Sequence, residues 1–176
     1  MTRPGSWIPA TANALGAAIA RRALLDVGIA EDPPGSNRSP EIDEYLKRAG
    51  VAVGLPWCAA AVAAWFRECG AQTPAVGAAS TDAWMGWAGA HNLWSQTPAI
   101  GSAVVYGKPG DAEHIGVVVR IQPLLFTIEG NSSLDAGNVR EGIAVDLKNR
   151  QGSTWILGYV RPAPVPVSPR SPTGPE

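Results

Sequence analysis

The segment 57–69 places the tightest limit on the fold. It reads Trp-Cys-Ala-Ala-Ala-Val-Ala-Ala-Trp-Phe-Arg-Glu-Cys, with Pro56 before it and Gly70 after it. Proline at the start and glycine past the end bracket a helix. Its body is apolar almost all the way round, and such a helix has to be covered on several sides. A chain of 176 residues, 45% of them hydrophobic, can build that cover within one domain. The charged share of 16% is far too low for a polyelectrolyte linker.

The elements around this helix divide into two halves. Before it, 11–27 is Ala- and Leu-rich, with Leu15, Ala18, Ile19 and Leu25 on an apolar face. The loop 31–37 is dense in turn formers. Ser39 then caps a helix with Pro40 in its first turn. Glu41 and Asp43 suit its positive end, Lys47 and Arg48 its negative end, and Gly50 closes it. After a loop at 71–80, Ser80 or Thr81 caps a short helix carrying Asp82, Trp84 and Trp87. Beyond Pro98 the pattern turns to strands at 102–106, 114–121, 124–130, 138–146 and 154–160. Helices first and strands second predict an α+β fold, with N-terminal helices packed on an antiparallel sheet of about five strands. Residues 1–10 read as a flexible lead-in and 11–161 as the domain. Six of the 16 prolines fall in 162–176, which reads as a disordered tail.

Lys plus Arg is 14 and Asp plus Glu is 15, so the net charge of −1 argues against nucleic acid as a partner. No apolar run is long enough to span a membrane. Two cysteines are too few for a disulfide framework. The mild Ala-rich stretch 10–20 has Arg21 and Arg22 at the wrong end for a signal peptide, so synthesis in the cytoplasm is expected.

Cys58 lies in the first turn of the central helix, where unpaired N–H groups and the helix dipole favour a thiolate. Cys69, eleven residues on, is roughly 16 Å away at the unfavourable end and reads as a core cysteine. His114 opens a β-branched strand and could reach a packed helix N-terminus to take the Cys58 proton. His91 sits in a segment with neither strand nor cap pattern and reads as solvated. In Thr-Ile-Glu-Gly-Asn, Glu129 and Asn131 are two apart and share a face if the strand continues, so either could orient the imidazole. Nucleophile, base and orienter in that order describe acyl transfer through a thioester, with the helix N–H groups holding the oxyanion. Trp57, Trp84, Trp87 and Trp94 either line a substrate groove or form satellite core.

With these pieces in place, the chain resembles the CHAP domain, the cysteine, histidine-dependent amidohydrolase/peptidase family of phage and bacterial cell-wall hydrolases. The matching stretches are Asn37-Arg38-Ser39-Pro40-Glu41-Ile42-Asp43, Pro56-Trp57-Cys58-Ala59-Ala60, Gly101-Ser102-Ala103-Val104-Val105, His114-Ile115-Gly116-Val117-Val118 and Thr127-Ile128-Glu129-Gly130-Asn131. The resemblance runs from about 35 to 132. It implies a papain-like fold, with Cys58 as nucleophile, His114 as base and Glu129 or Asn131 as orienter. It also implies an activity: hydrolysis of a peptidoglycan amide, as an N-acetylmuramoyl-L-alanine amidase or a stem or cross-bridge endopeptidase. A Cys-His-His version cannot be built, because no histidine follows His114. Some members bind calcium through an Asp-rich loop before the cysteine. Here only Glu31 and Asp32 lie in that region, so neither metal nor cofactor is expected. The expected partners are peptidoglycan and a phage virion, holin or secretion machine, with the chain a monomer acting on the wall after release, injection or as a virion component. The competing expectations are a non-catalytic wall-binding or tail module of the same fold, and a cysteine hydrolase acting on a protein or isopeptide.

Overall fold

The computed structural model describes residues 8–132 and 142–166. Four helices precede the main sheet: α1 (Ala14–Leu25), α2 (Pro40–Arg48), α3 (Cys58–Glu68) and α4 (Thr81–Ala90). Six strands follow: β1 (Trp94–Ser95), β2 (Ala103–Lys108), β3 (Asp111–Arg120), β4 (Phe126–Ser132), β5 (Ala144–Asn149) and β6 (Ile156–Val160). They form one open antiparallel sheet in the order β1-β6-β2-β3-β4-β5. The architecture is therefore α+β, with the helices packed on the sheet.

The sheet has six strands rather than about five. The extra one, β1, is two residues long and pairs Trp94 with Val160 and Ser95 with Tyr159, too short to leave an alternating pattern in sequence. The strand expected at 138–146 lies later, at β5, and 133–141 fall outside the described residues. The lead-in is anchored at its end, because Ile8 is buried in the core. The proline-rich stretch expected as tail from 162 also starts attached. Gln72 N–H donates to the Ala163 carbonyl (2.8 Å) and Val165 N–H to the Gly70 carbonyl (2.9 Å), so 163–165 run along the turn after α3.

Helix α3 lies where its composition requires. Cys58 to Phe66 are all buried, and the helix packs on α1, α2, β3 and β4. A buried carboxylate ties the three helices together. Asp26, just past α1, accepts from Tyr45 Oη of α2 (2.5 Å), Trp65 Nε1 of α3 (2.8 Å) and Arg22 Nη1 (2.6 Å). Burying a carboxylate is tolerable only with such partners. Past α1 the chain returns to the sheet edge. Gly28 N–H donates to the Val145 carbonyl and Glu31 N–H to the Ile143 carbonyl, which fixes the 28–31 segment alongside β5.

Candidate active site

Cys58 is the first residue of α3 and is 8% exposed. Among the described residues α1, α2 and α4 are capped by the side chains of Asn13, Ser39 and Ser80, whereas α3 has no side-chain cap. Its first-turn N–H groups thus remain available as donors beside the Cys58 sulfur.

His114 is brought to that helix end by β3. The start of the strand is clamped by α4. Asp82 Oδ1 accepts from Ala112 N–H (2.9 Å), and Thr81 Oγ1 donates to the Ala112 carbonyl (2.5 Å). Across the ladder His114 faces Tyr106, and the two rings stack with centroids 5.7 Å apart. His114 Nε2 lies 2.9 Å from Glu129 Oε2. A carboxylate only accepts, so Nε2 carries the hydrogen, and Nδ1 is the nitrogen left for the hydrogen bond to Cys58. Burial alone would lower the imidazole pKa. The hydrogen bonds to Cys58 and Glu129, together with the negative charge of both, outweigh it and push the value up to about 9.

Glu129 is fully buried, and both of its carboxyl oxygens are hydrogen-bonded. Oε1 accepts from Tyr106 Oη (2.8 Å), Thr127 Oγ1 (2.6 Å) and Arg150 Nε (2.8 Å), and Oε2 accepts from His114 and Arg150 Nη2. Burial would raise its carboxyl pKa. The Arg150 and His114 hydrogen bonds and charges win, and hold it far below the usual carboxylate range. The Arg150 guanidinium also lies 4.9 Å over the Tyr106 ring. Two glycines make room for the set. A Cβ at Gly116 would come within 2.5 Å of Glu129 Cγ, and one at Gly130 within 2.7 Å of the Trp57 ring. A Cβ does not come that close to a non-bonded carbon, so the His-Ile-Gly and Glu-Gly-Asn stretches have a steric reason.

Asn131 takes no part in holding His114. Its φ of 51° breaks the extended alternation, and the β4–β5 register shifts between Glu129 and Ser132. Asn131 instead lines a cleft of about 520 Å³ with Glu31, Gly35, Asn37, Pro56, Gly142 and Ile143. Of the two orienters left open by sequence, Glu129 is the one bonded to the imidazole. The tryptophans divide as well. Trp57 and Trp84 have no exposed surface, so as groove walls they stand corrected. Trp57 stacks on Tyr45 and Trp84 donates to the Ala78 carbonyl (2.9 Å). Trp87 and Trp94 are half-buried. Trp87 packs edge-on to Trp84, and Trp94 fills the space beside Gly158. Sequence reasoning missed Arg150, Tyr106 and Thr127. Thr127 could have been found from the two-residue period it shares with Glu129.

The two cysteines differ in a testable way. Cys69 is the more exposed thiol, but burial and the neighbouring Glu68 push its pKa up despite Arg22. Cys58 sits against an imidazole that is protonated below about 9. Iodoacetamide at pH 6 is expected to label Cys58 before Cys69, read by peptide mass spectrometry. Exposure alone would give the opposite order, so preferential labelling of Cys69 would mean that Cys58 is not activated.

Among the described residues no cluster of three or more His, Cys, Asp or Glu side chains could hold a metal ion, and no helix is long and apolar enough to cross a membrane. No family model, curated protein or solved structure matches the chain.

Proposed function

We propose that the protein is a papain-like cysteine hydrolase of the CHAP type that cleaves an amide bond of peptidoglycan. The observation that supports this best is the relay Cys58–His114–Glu129, with a sulfur at the uncapped start of α3 and an imidazole held at its far nitrogen by a buried carboxylate. In this reading the Cys58 sulfur attacks the amide carbonyl, its proton residing on His114. The first-turn N–H groups of α3 hold the negative oxygen of the tetrahedral intermediate. The imidazolium passes its proton to the departing amine, which leaves a thioester on Cys58. His114 then takes a proton from water, hydroxide adds to the thioester, and the acid product departs with the sulfur restored. Glu129 keeps the ring in one orientation and stabilises its positive form, and Arg150, Tyr106 and Thr127 hold Glu129. The aromatic stacking of Tyr106 on His114 restricts ring rotation.

The reading is tested by incubating the protein with purified, defined peptidoglycan and identifying the released material by mass spectrometry. Free stem peptides are expected from cleavage at the lactyl amide, and glycan-linked stem fragments from cleavage within the stem or cross-bridge. Intact peptidoglycan after prolonged incubation with folded protein, across walls of differing stem and bridge chemistry, would overturn it.

A further inference from the structure

Two cations share the Glu129 carboxylate. Its Oε2 accepts from His114 Nε2 (2.9 Å) and from Arg150 Nη2, and its Oε1 accepts from Arg150 Nε (2.8 Å). The two cations differ in kind. An imidazole gains and loses its proton in acid–base work, whereas a guanidinium keeps its charge throughout. Each time His114 became neutral, Glu129 on its own would be a buried anion without a counter-ion, which is a costly state. Arg150 removes that cost. It also draws on the same oxygen as the imidazole, so less of the carboxylate's charge is left to hold the proton on His114.

The grip is set by backbone as well as by charge. Arg150 directly follows β5, and its N–H donates to the Leu125 carbonyl (2.8 Å), just before β4. Gln151 Oε1 accepts from the Leu125 N–H (3.1 Å). The turn after β5 is thereby stitched to the strand that carries Glu129. The Arg150 side chain is only 17% exposed and packs over the Tyr106 ring. The titratable groups against His114 are Cys58 of α3, Tyr106 of β2 and Glu129 of β4. Charged groups on the surrounding elements are engaged elsewhere. Glu113 pairs with Lys108 of β2, and Asp82 of α4 holds the Ala112 N–H. Arg22 of α1 pairs with Asp26 and Glu68, and Arg67 of α3 bonds to Thr73 and the Arg48 carbonyl. Arg21 of α1 and Asp111 at the start of β3 are exposed.

We propose that Arg150 is a positioning residue of the relay: its fork fixes the Glu129 carboxylate in the orientation that receives His114, and its charge takes up part of the carboxylate's, so that the His114 proton can be given away. The inference deepens the hydrolase reading and rests on it for the catalytic part. It also fixes a sign. Without the guanidinium charge, Glu129 pulls harder on the imidazole proton, and His114 loses it at higher pH. A residue that merely propped Glu129 in place would do the reverse, because a released carboxylate turns away and His114 loses its proton at lower pH.

The test reads that sign by NMR on the full chain with labelled histidine. The chain has two histidines, and the exposed His91 is the internal control. Cys58→Ala is the background, so that no thiol titrates against the ring. Adding Arg150→Gln is expected to make His114 hold its proton at least about tenfold more tightly, moving its deprotonation up by about one pH unit. An unchanged or lowered His114 titration in a folded Arg150→Gln chain overturns the proposal. Arg150→Lys keeps the charge but not the fork. With Cys58 present, it is expected to leave the His114 titration in place and to lower kcat on soluble peptidoglycan fragments about tenfold at unchanged KM, since Arg150 holds Glu129 and not substrate. Should the glutamine chain not fold, the lysine chain decides: kcat at the parent value overturns the proposal. A parent chain that hydrolyses no peptidoglycan removes the hydrolase reading, while the NMR titration still decides whether Arg150 shares the Glu129 charge, so the two failures are separable.

Discussion

Alanine at position 58 is expected to lower peptidoglycan hydrolysis by at least about 10³-fold while leaving the chain folded. The size follows from what is lost. With the sulfur gone no thioester forms, and attack would fall to water, a far weaker nucleophile than a thiolate, with no covalent step to divide the barrier. What remains is binding and the N–H donors at the start of α3, which sustain only residual catalysis in enzymes of this logic. The fold should tolerate the change. Position 58 opens a helix already rich in alanine, and alanine is the best helix former. The cost is one buried sulfur at the helix end, on the order of 1 kcal/mol by analogy with small core truncations. His114 loses one of the two partners that raise its pKa, so its value should fall from about 9. Wall clearance per mole of enzyme and a urea unfolding curve, run on the same preparations, check both halves. Clearance at the parent rate by a folded Cys58→Ala chain would remove Cys58 from the reaction.

How much of this was legible beforehand depended on range. The helices were readable because their signals are local: Ser39 with Pro40, Pro56 before α3, and Gly70 after it. The β-branched run 115–121 marked β3 for the same reason. The Glu129 network was readable only in part. His114 and Glu129 belong to adjacent strands, and their strand pattern suggested that they could meet. Arg150 comes from beyond β5, and its two-pronged grip on Glu129 depends on where a distant strand ends, which no periodicity encodes. Asn131 misled because alternation assumes extended backbone, and a positive φ at that residue turns it toward the cleft. The tryptophans misled in another way: composition counts large rings without saying which are enclosed, and Trp57 and Trp84 are. Glu31 entered the sequence reading only as part of a poor metal site. That its Oε2 is buried without a hydrogen-bond partner among the described residues is visible only in three dimensions.

Replacing Glu129 should destabilise the chain more than any other change in the relay, and should alter its response to pH. Alanine there leaves the Arg150 guanidinium, His114 and the Tyr106 hydroxyl facing a cavity. Breaking a buried ion pair by removing one partner costs about 3–5 kcal/mol. Glutamine keeps the volume but removes the charge that both Arg150 and His114 use, and donates where they also donate. The parent chain carries the matching pH signature. The folded pKa of His114, about 9, is above its ordinary value of 6.5, so its contribution is complete below about 6.5 and is lost as pH rises through 9. Its full size is on the order of 3 kcal/mol, since each tenfold gain in proton affinity corresponds to about 1.4 kcal/mol. The folded pKa of Glu129 is far below its ordinary value of 4.5, so its contribution is present above that and lost only on strong acidification. Stability from this pair should therefore be greatest between about pH 5 and 6.5, falling gradually toward pH 9 and steeply in acid. Hydrolysis should fall over the same alkaline range, because the imidazolium that protonates the leaving amine disappears with the same ionisation. In Glu129→Gln the alkaline limb of both curves should move down toward the ordinary histidine value. Urea unfolding midpoints and initial rates of wall clearance from pH 5 to 10 measure the two together. A Glu129→Gln chain with the parent's alkaline limb in both would show that Glu129 does not set the charge of His114.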